Sequence, residues 1–215
     1  MKKIILLLTC MVSAGSMFGQ TGEAVCTLSG NDIVVKSKFI DTFYIKQNEV
    51  LTPYTLTKTE TVLPSSSYGS FSLKLYKFNG YADEPGVCNV IEVLKNGVKV
   101  LELKNSLGFE NLSSYVSSES GFYGLITLSA NTYALIFNEY IYASSPSMIS
   151  VVLIRNGQVK LVYNKEMYIN SITKQSGSFN MQLQANTVEY IDPNTPYNEA
   201  ELHTVWWDGA TLRFQ

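Results

Sequence analysis

The chain has 215 residues, with 16 Lys and Arg against 18 Asp and Glu, a net charge of −2. A nearly neutral chain without a basic stripe does not suit nucleic acid as a partner. Charged residues at 16% and aromatics at 12% exclude a disordered chain, because that composition can bury a core.

Residues 1–20 read as a secretory signal peptide. Lys2 and Lys3 form a basic start, an apolar stretch runs from Ile4 to about Met17, and Gly19 offers a small residue at a cleavage point. The stretch is too short for a membrane span, and no later segment is apolar for the roughly 20 residues that a span needs. Leu7-Leu8-Thr9-Cys10 loosely resembles a lipobox, with Cys10 as the lipidated residue. The very short apolar run before Cys10 favours simple cleavage instead. The expected product is a single secreted or periplasmic domain, 21–215, without a membrane span.

Cys26 and Cys88 remain after cleavage. An even pair in an oxidising compartment predicts a disulfide, worth about 3–4 kcal/mol in the chain-entropy model. The alternative is two buried free thiols.

A pattern then recurs along the chain. "GSFSLKL" at 69–75, "GFYGLITL" at 121–128 and "GSFNMQL" at 177–183 each open with Gly and alternate apolar with polar residues, as a half-buried strand does. Downstream of each lies a loop with Pro85, Pro146 or Pro196. After it come two β-rich runs around Asn96-Gly97, Asn156-Gly157 or Asp208-Gly209. Such dipeptides tolerate the positive φ of a type I′ turn and predict tight hairpins.

The pattern returns roughly every 50–60 residues. A fainter copy precedes it, with a strand at 29–39 and a looser hairpin around Gln47-Asn48. The expected units are 24–60, 61–105, 106–166 and 167–215. Helical periodicity is scarce, and 105–121 is the best place for a turn of helix or a long loop.

These features predict an all-β protein of antiparallel units. A small four-bladed β-propeller-like ring is the first expectation, with a β-sandwich or a β-trefoil as alternatives.

Chemistry is sparse. One His and two distant Cys do not make a zinc site. Asp192-Pro193-Asn194 starts like a calcium loop, but Pro196 stands where a ligand belongs. Gly-x-Ser-x-Gly and a Gly-rich phosphate loop are missing. Ser171-x-x-Lys174 lacks its companion motifs. No metal or cofactor is expected.

Any serine or cysteine triad would need His203 as its base. Asp192, Glu199, Glu201 and Asp208 leave a carboxylate-dependent glycoside hydrolase as an alternative.

Aromatic residues are the remaining signal. Tyr140 and Tyr142 share one strand face. Trp206 and Trp207 must point to opposite faces. Aligning the three hairpins sets Trp207 where the others have Lys95 and Arg155, so Trp207 is expected to face a ligand. Trp207, Tyr140, Tyr142 and His203 are therefore the candidate binding residues.

The expected function is a non-catalytic, monomeric binding protein for a glycan or an extracytoplasmic protein. The alternatives are a small glycoside hydrolase and a structural envelope-associated protein.

Overall fold

The computed structural model describes residues 22–41, 54–79, 86–114, 116, 121–140, 148–175, 177–185 and 201–215. The signal-peptide expectation for 1–20 and the hairpin around Gln47-Asn48 lie outside them.

The described residues form fourteen strands: β1 Glu23–Ala24, β2 Cys26–Ser29, β3 Asp32–Val35, β4 Tyr54–Leu63, β5 Phe71–Phe78, β6 Cys88–Lys95 and β7 Val98–Glu110. They continue as β8 Gly124–Ser129, β9 Thr132–Glu139, β10 Met148–Arg155, β11 Gln158–Gln175, β12 Ser178–Ala185, β13 Leu202–Trp207 and β14 Leu212–Phe214. Among the described residues there is no α-helix, and so none long and apolar enough to cross a membrane. Two single 3-10 turns occur among these residues, at Ser37–Phe39 and Leu112–Ser114. The expected helix or loop at 105–121 is strand up to Glu110 before the second of these turns.

One antiparallel sheet runs in the order β1-β14-β13-β12-β11-β10-β9-β7-β6-β5-β4, with β8 added beside β9; β2 and β3 form a separate hairpin. The path has two ends, so no closed ring is found among the described residues. The strands are not divided into separate blades either.

The middle of this sheet is buried on both faces. β10 reads "MISVVLIR", and its first seven residues are all buried. Alternation cannot survive where neither face meets water, so such a strand becomes an unbroken apolar run. Ile149, Val151 and Leu153 enter one core with Ala134 and Ile136. Val152 and Ile154 enter a second core with Leu135 and Phe137.

The first core is closed by β12 to β14 and the β2–β3 hairpin, through Phe179, Met181, Leu183, Val205, Leu212 and Ile33. The second is closed by β5 to β7, through Phe71, Leu73, Leu75, Ile91, Val93 and Leu103. The sheet therefore curls one way around one core and the opposite way around the other, with β9, β10 and β11 as the shared wall.

β11 makes this possible. It pairs with β10 up to Glu166 and with β12 from Met167, with register shifts in both ladders. Irregularities of this kind bend and twist a strand. The partner exchange falls at the expected unit boundary between 166 and 167, inside an unbroken strand. At the other bend, β7 reaches β9 through only two register pairs, Phe109↔Glu139 and Glu110↔Asn138.

Two of the three predicted tight turns form as expected. Asn96 and Gly97 have φ of 50° and 80°, and Asn156 and Gly157 have 48° and 83°. Lys95↔Val98 and Arg155↔Gln158 close those hairpins. The third differs. Trp207 pairs with Leu212 across four residues. Asp208 accepts hydrogen bonds through Oδ1 from the N–H groups of Ala210 (2.8 Å) and Thr211 (2.7 Å).

The Gly-opened strands are not equivalent either. β5 and β12 have a strand on each side, whereas β8 pairs with β9 alone. An extra turn at Ala130-Asn131 puts β9, not β8, directly before the proline loop.

The shared wall generates a prediction. Leu153→Ala and Ile154→Ala each remove packing from a different core and should each cost about 2–5 kcal/mol. Both should shift one and the same cooperative unfolding transition in calorimetry. Two resolved transitions in either variant would contradict a common wall.

Candidate functional site

The structure changes the expectation for the tryptophans. Trp207 is 5% exposed and belongs to the first core. Its partner Leu212 is buried in the same core, and the equivalent residues of the other hairpins, Lys95 and Arg155, also stand on core-facing rows, in line with Val93 and Leu153. Trp206 takes the opposite face and is 8% exposed. Its ring is covered by the chain at Gly22, where a Cβ would fall 2.0 Å from the Trp206 ring. Arg213 Nη1 donates to the Gly22 carbonyl at 3.2 Å and fixes that cover. Neither indole is presented to a ligand.

His203 stacks on Phe214 with ring centroids 4.9 Å apart. Phe214 meets Phe39 at 5.6 Å and Tyr163 at 6.0 Å. His203 thus caps an aromatic cluster at the rim of the first core, with Glu201 Oε2 3.7 Å from its Nε2. Tyr140 is half-buried, and its backbone N–H donates to Gly108 O at 2.9 Å. Tyr142, Asp192 and Glu199 lie outside the described residues. The four expected binding residues are therefore not brought together on a described surface.

The disulfide is also corrected. Cys26 and Cys88 are both free and buried. Cys26 sits in the first core and Cys88 in the second. Burial raises both thiols above the ordinary range.

The side chains that do assemble on a solvent-facing surface come from β4 to β7. In β5, Phe71, Leu73 and Leu75 point into the second core, so Ser72, Lys74 and Tyr76 point out. Register builds two rows across the outer face. One is Leu56–Tyr76–Val90–Lys104 and the other Lys74–Glu92–Glu102. Tyr54 shares the face, and its ring lies 6.2 Å from that of Tyr76, tilted by 57°. Leu56 is 46% exposed beside them.

Polar groups lock this aromatic pair. Tyr76 Oη donates to Glu92 Oε2 at 2.8 Å. Glu92 and Glu102 stand directly opposite, a placement that like charges resist. Lys99 resolves the conflict, with Nζ 3.2 Å from Glu92 Oε1 and 2.6 Å from Glu102 Oε2. Lys104 Nζ adds a contact of 2.8 Å to Glu102 Oε1. Partial burial pushes the Glu102 carboxyl upward, but Lys104 and Lys99 outweigh it and hold it below the ordinary range. Hydrogen bonds to Glu102 and Glu92 raise Lys99 in turn.

This face carries more groups that can make contacts than groups poised to transfer a proton. Ring edges and faces, a fixed phenol, two carboxylates and two ammonium groups lie within a few residues of one another. A general acid needs a carboxyl that holds its proton near neutral pH, and Glu102 is tuned the other way. Burial does push Glu139 up to about 8, but that side chain is fully enclosed and no substrate reaches it. Among the described residues, no three of His, Cys, Asp and Glu group as metal ligands would.

The carboxylates and aromatics of this face are far apart in the chain, and only strand register brings them together. The signal of this face was the polar half of two alternating strands, "YTLTKTETV" and "FSLKLYKF", where tyrosines interrupt lysines.

Two outcomes can be measured. Peptide mapping without reductant should find Cys26 and Cys88 unlinked. Asp208 is partly buried, which raises its carboxyl, but Arg213 and the two turn N–H groups prevail and lower it. A depressed carboxyl stabilises the fold above its unfolded pKa, and that contribution is lost as pH falls through the folded value. Asp208→Ala should cost about 1 kcal/mol at pH 7, and the difference from wild type should shrink below about pH 4. No family model, curated protein or solved structure matches this chain.

Proposed function

We propose that the protein is an exported binding protein whose ligand lies across the outer face of β4 to β7, and that the ligand is a glycan. The Tyr54–Tyr76 pair, locked to the Glu92–Lys99–Glu102 network, carries this reading. Sugar rings offer C–H faces that stack on aromatics and hydroxyls that exchange hydrogen bonds with carboxylates and ammonium groups. Holding the phenol and the charges in place before binding lowers the ordering cost of association. Export rests on the pattern of residues 1–20, with cleavage near Gln20 favoured over a lipid anchor at Cys10. The open sheet folded around two cores favours the sandwich alternative over a ring of blades.

The hydrolase alternative has less support, since the opposed carboxylates on this face are both ion-paired and Glu102 is held below the ordinary range. A protein ligand on the same face is the competing partner class.

A glycan array followed by calorimetry tests the proposal. Binding should fall at least tenfold in Tyr76→Ala and Tyr54→Ala, and less in Tyr68→Ala, which lies off this face. Glycan binding unaffected by either tyrosine, or no glycan bound at all, would overturn it.

A further inference from the structure

Three adjacent strands of the shared wall each place one polar side chain on the face turned to the second core. Ser150 of β10 stands opposite Phe137 of β9 on one side and opposite Asn164 of β11 on the other. Glu139 lies two residues beyond Phe137 and so shares its face. Glu139, Ser150 and Asn164 are each 0% exposed.

The Glu139 carboxyl is held from two sides. Ser150 Oγ donates to Oε1, and Asn105 Nδ2 donates to Oε2 at 3.1 Å. Asn105 has no acceptor to spare, because its Oδ1 already accepts from the N–H groups of Leu107 (2.8 Å) and Gly108 (3.0 Å). No lysine, arginine or histidine is among the groups that perturb Glu139.

Asn164 presents the complementary problem. Its backbone carbonyl accepts from the Asp41 N–H at 2.9 Å, yet both atoms of its side-chain amide are buried without a partner. Directly opposed residues in an antiparallel pair have Cβ atoms about 5 Å apart, so this amide stands beside the Ser150 hydroxyl.

An enclosed carboxyl without a base and an enclosed amide without a partner are both unfavourable. A water molecule would satisfy the amide and leave the carboxyl to carry its own proton. A cation would answer the carboxyl and the amide oxygen together, because Asn164 Oδ1, Glu139 Oε1 and the lone pairs of Ser150 Oγ are all hard oxygen donors; it does not engage Asn164 Nδ2. A single carboxylate matches a single positive charge, whereas calcium sites gather several carboxylates. Asn138 is also buried and unpartnered, but it lies in the Ile149 row, which faces the other core.

We propose that Glu139, Ser150 and Asn164 form an interior site for one alkali-metal cation, Na⁺ or K⁺, that ties β9, β10 and β11 together. The site is independent of the outer face of β4 to β7 and of any ligand there.

Thermal unfolding at constant pH and ionic strength tests it, exchanging choline chloride stepwise for NaCl or KCl. The Tm should rise by several degrees with at least one alkali ion, and should keep rising with ion concentration above the dissociation constant, as expected for a ligand of the native state. Glu139→Gln, which can replace both hydrogen bonds, and Asn164→Leu should each remove the difference between salts. Asn138→Leu should keep it. Equal Tm in all three salts would overturn the proposal, with a proton on Glu139 and a water at Asn164 in place of the ion. A salt difference that survives Asn164→Leu would also overturn it, by placing the ion elsewhere. Should Glu139→Gln fail to fold, Asn164→Leu alone decides.

Discussion

The structure depends on one constraint: β9, β10 and the middle of β11, Val162 to Asn164, have no face left for water. An ordinary sheet in a small β-protein hides one side and wets the other. Here both sides are used, and each demands a covering layer. β4 to β7 supply one layer and β11 to β14 the other. The two long strands follow from that demand. β11, at 18 residues, leaves the wall and becomes the first strand of one cover, while β7, at 13 residues, ends where it joins the wall. Packing on two sides also explains why a chain of modest length can do without a disulfide. Cys26 and Cys88 are placed one to a core, where a thiol serves as a small apolar side chain.

Much of this was legible in the sequence, and what was missed has specific physical causes. Asn96-Gly97 and Asn156-Gly157 were readable because the I′ turn needs left-handed backbone at both positions, and Asn followed by Gly is the pair that tolerates it. Asp208-Gly209 looked the same. Its carboxylate, however, captures the N–H groups of Ala210 and Thr211 and opens the turn to four residues. The inward orientation of Trp207 is common to all three hairpins, because the residue before each turn shares a face with core residues; the charged ends of Lys95 and Arg155 hide this in the sequence.

The phase of the recurring pattern was misread for a similar reason. Gly69, Gly121 and Gly177 look alike in sequence, but Gly121 precedes an edge strand and the other two precede interior ones. Burial on both faces was written plainly in "MISVVLIR". Which strands would cover it was not, because covering is set by how far β11 bends, and a bend within a continuous strand leaves little trace in residue type.

The outer face of β4 to β7 and the enclosed Glu139 show two uses of a carboxylate in one sheet. On the outer face, Glu92 and Glu102 are neighbours that tolerate each other because Lys99 sits between them, and all three remain in reach of solvent. Inside the wall, Glu139 has only neutral donors. The first arrangement offers charge to something arriving from outside. The second uses polar groups to hold strands that apolar packing alone would let slide, since Ser150 and Asn105 reach Glu139 from β10 and β7 at the joint where the sheet changes its curvature.

The pairing of β1 with β14 has a consequence for how the molecule is made. Glu23 meets Phe214 and Ala24 meets Arg213, so this ladder joins segments nearly the whole chain apart. Loop closure over such a distance is slow and comes late. Trp206 receives its cover at Gly22 only when that ladder forms, which happens after residues 212–214 have been synthesised. Until then, one edge of the first core stays open.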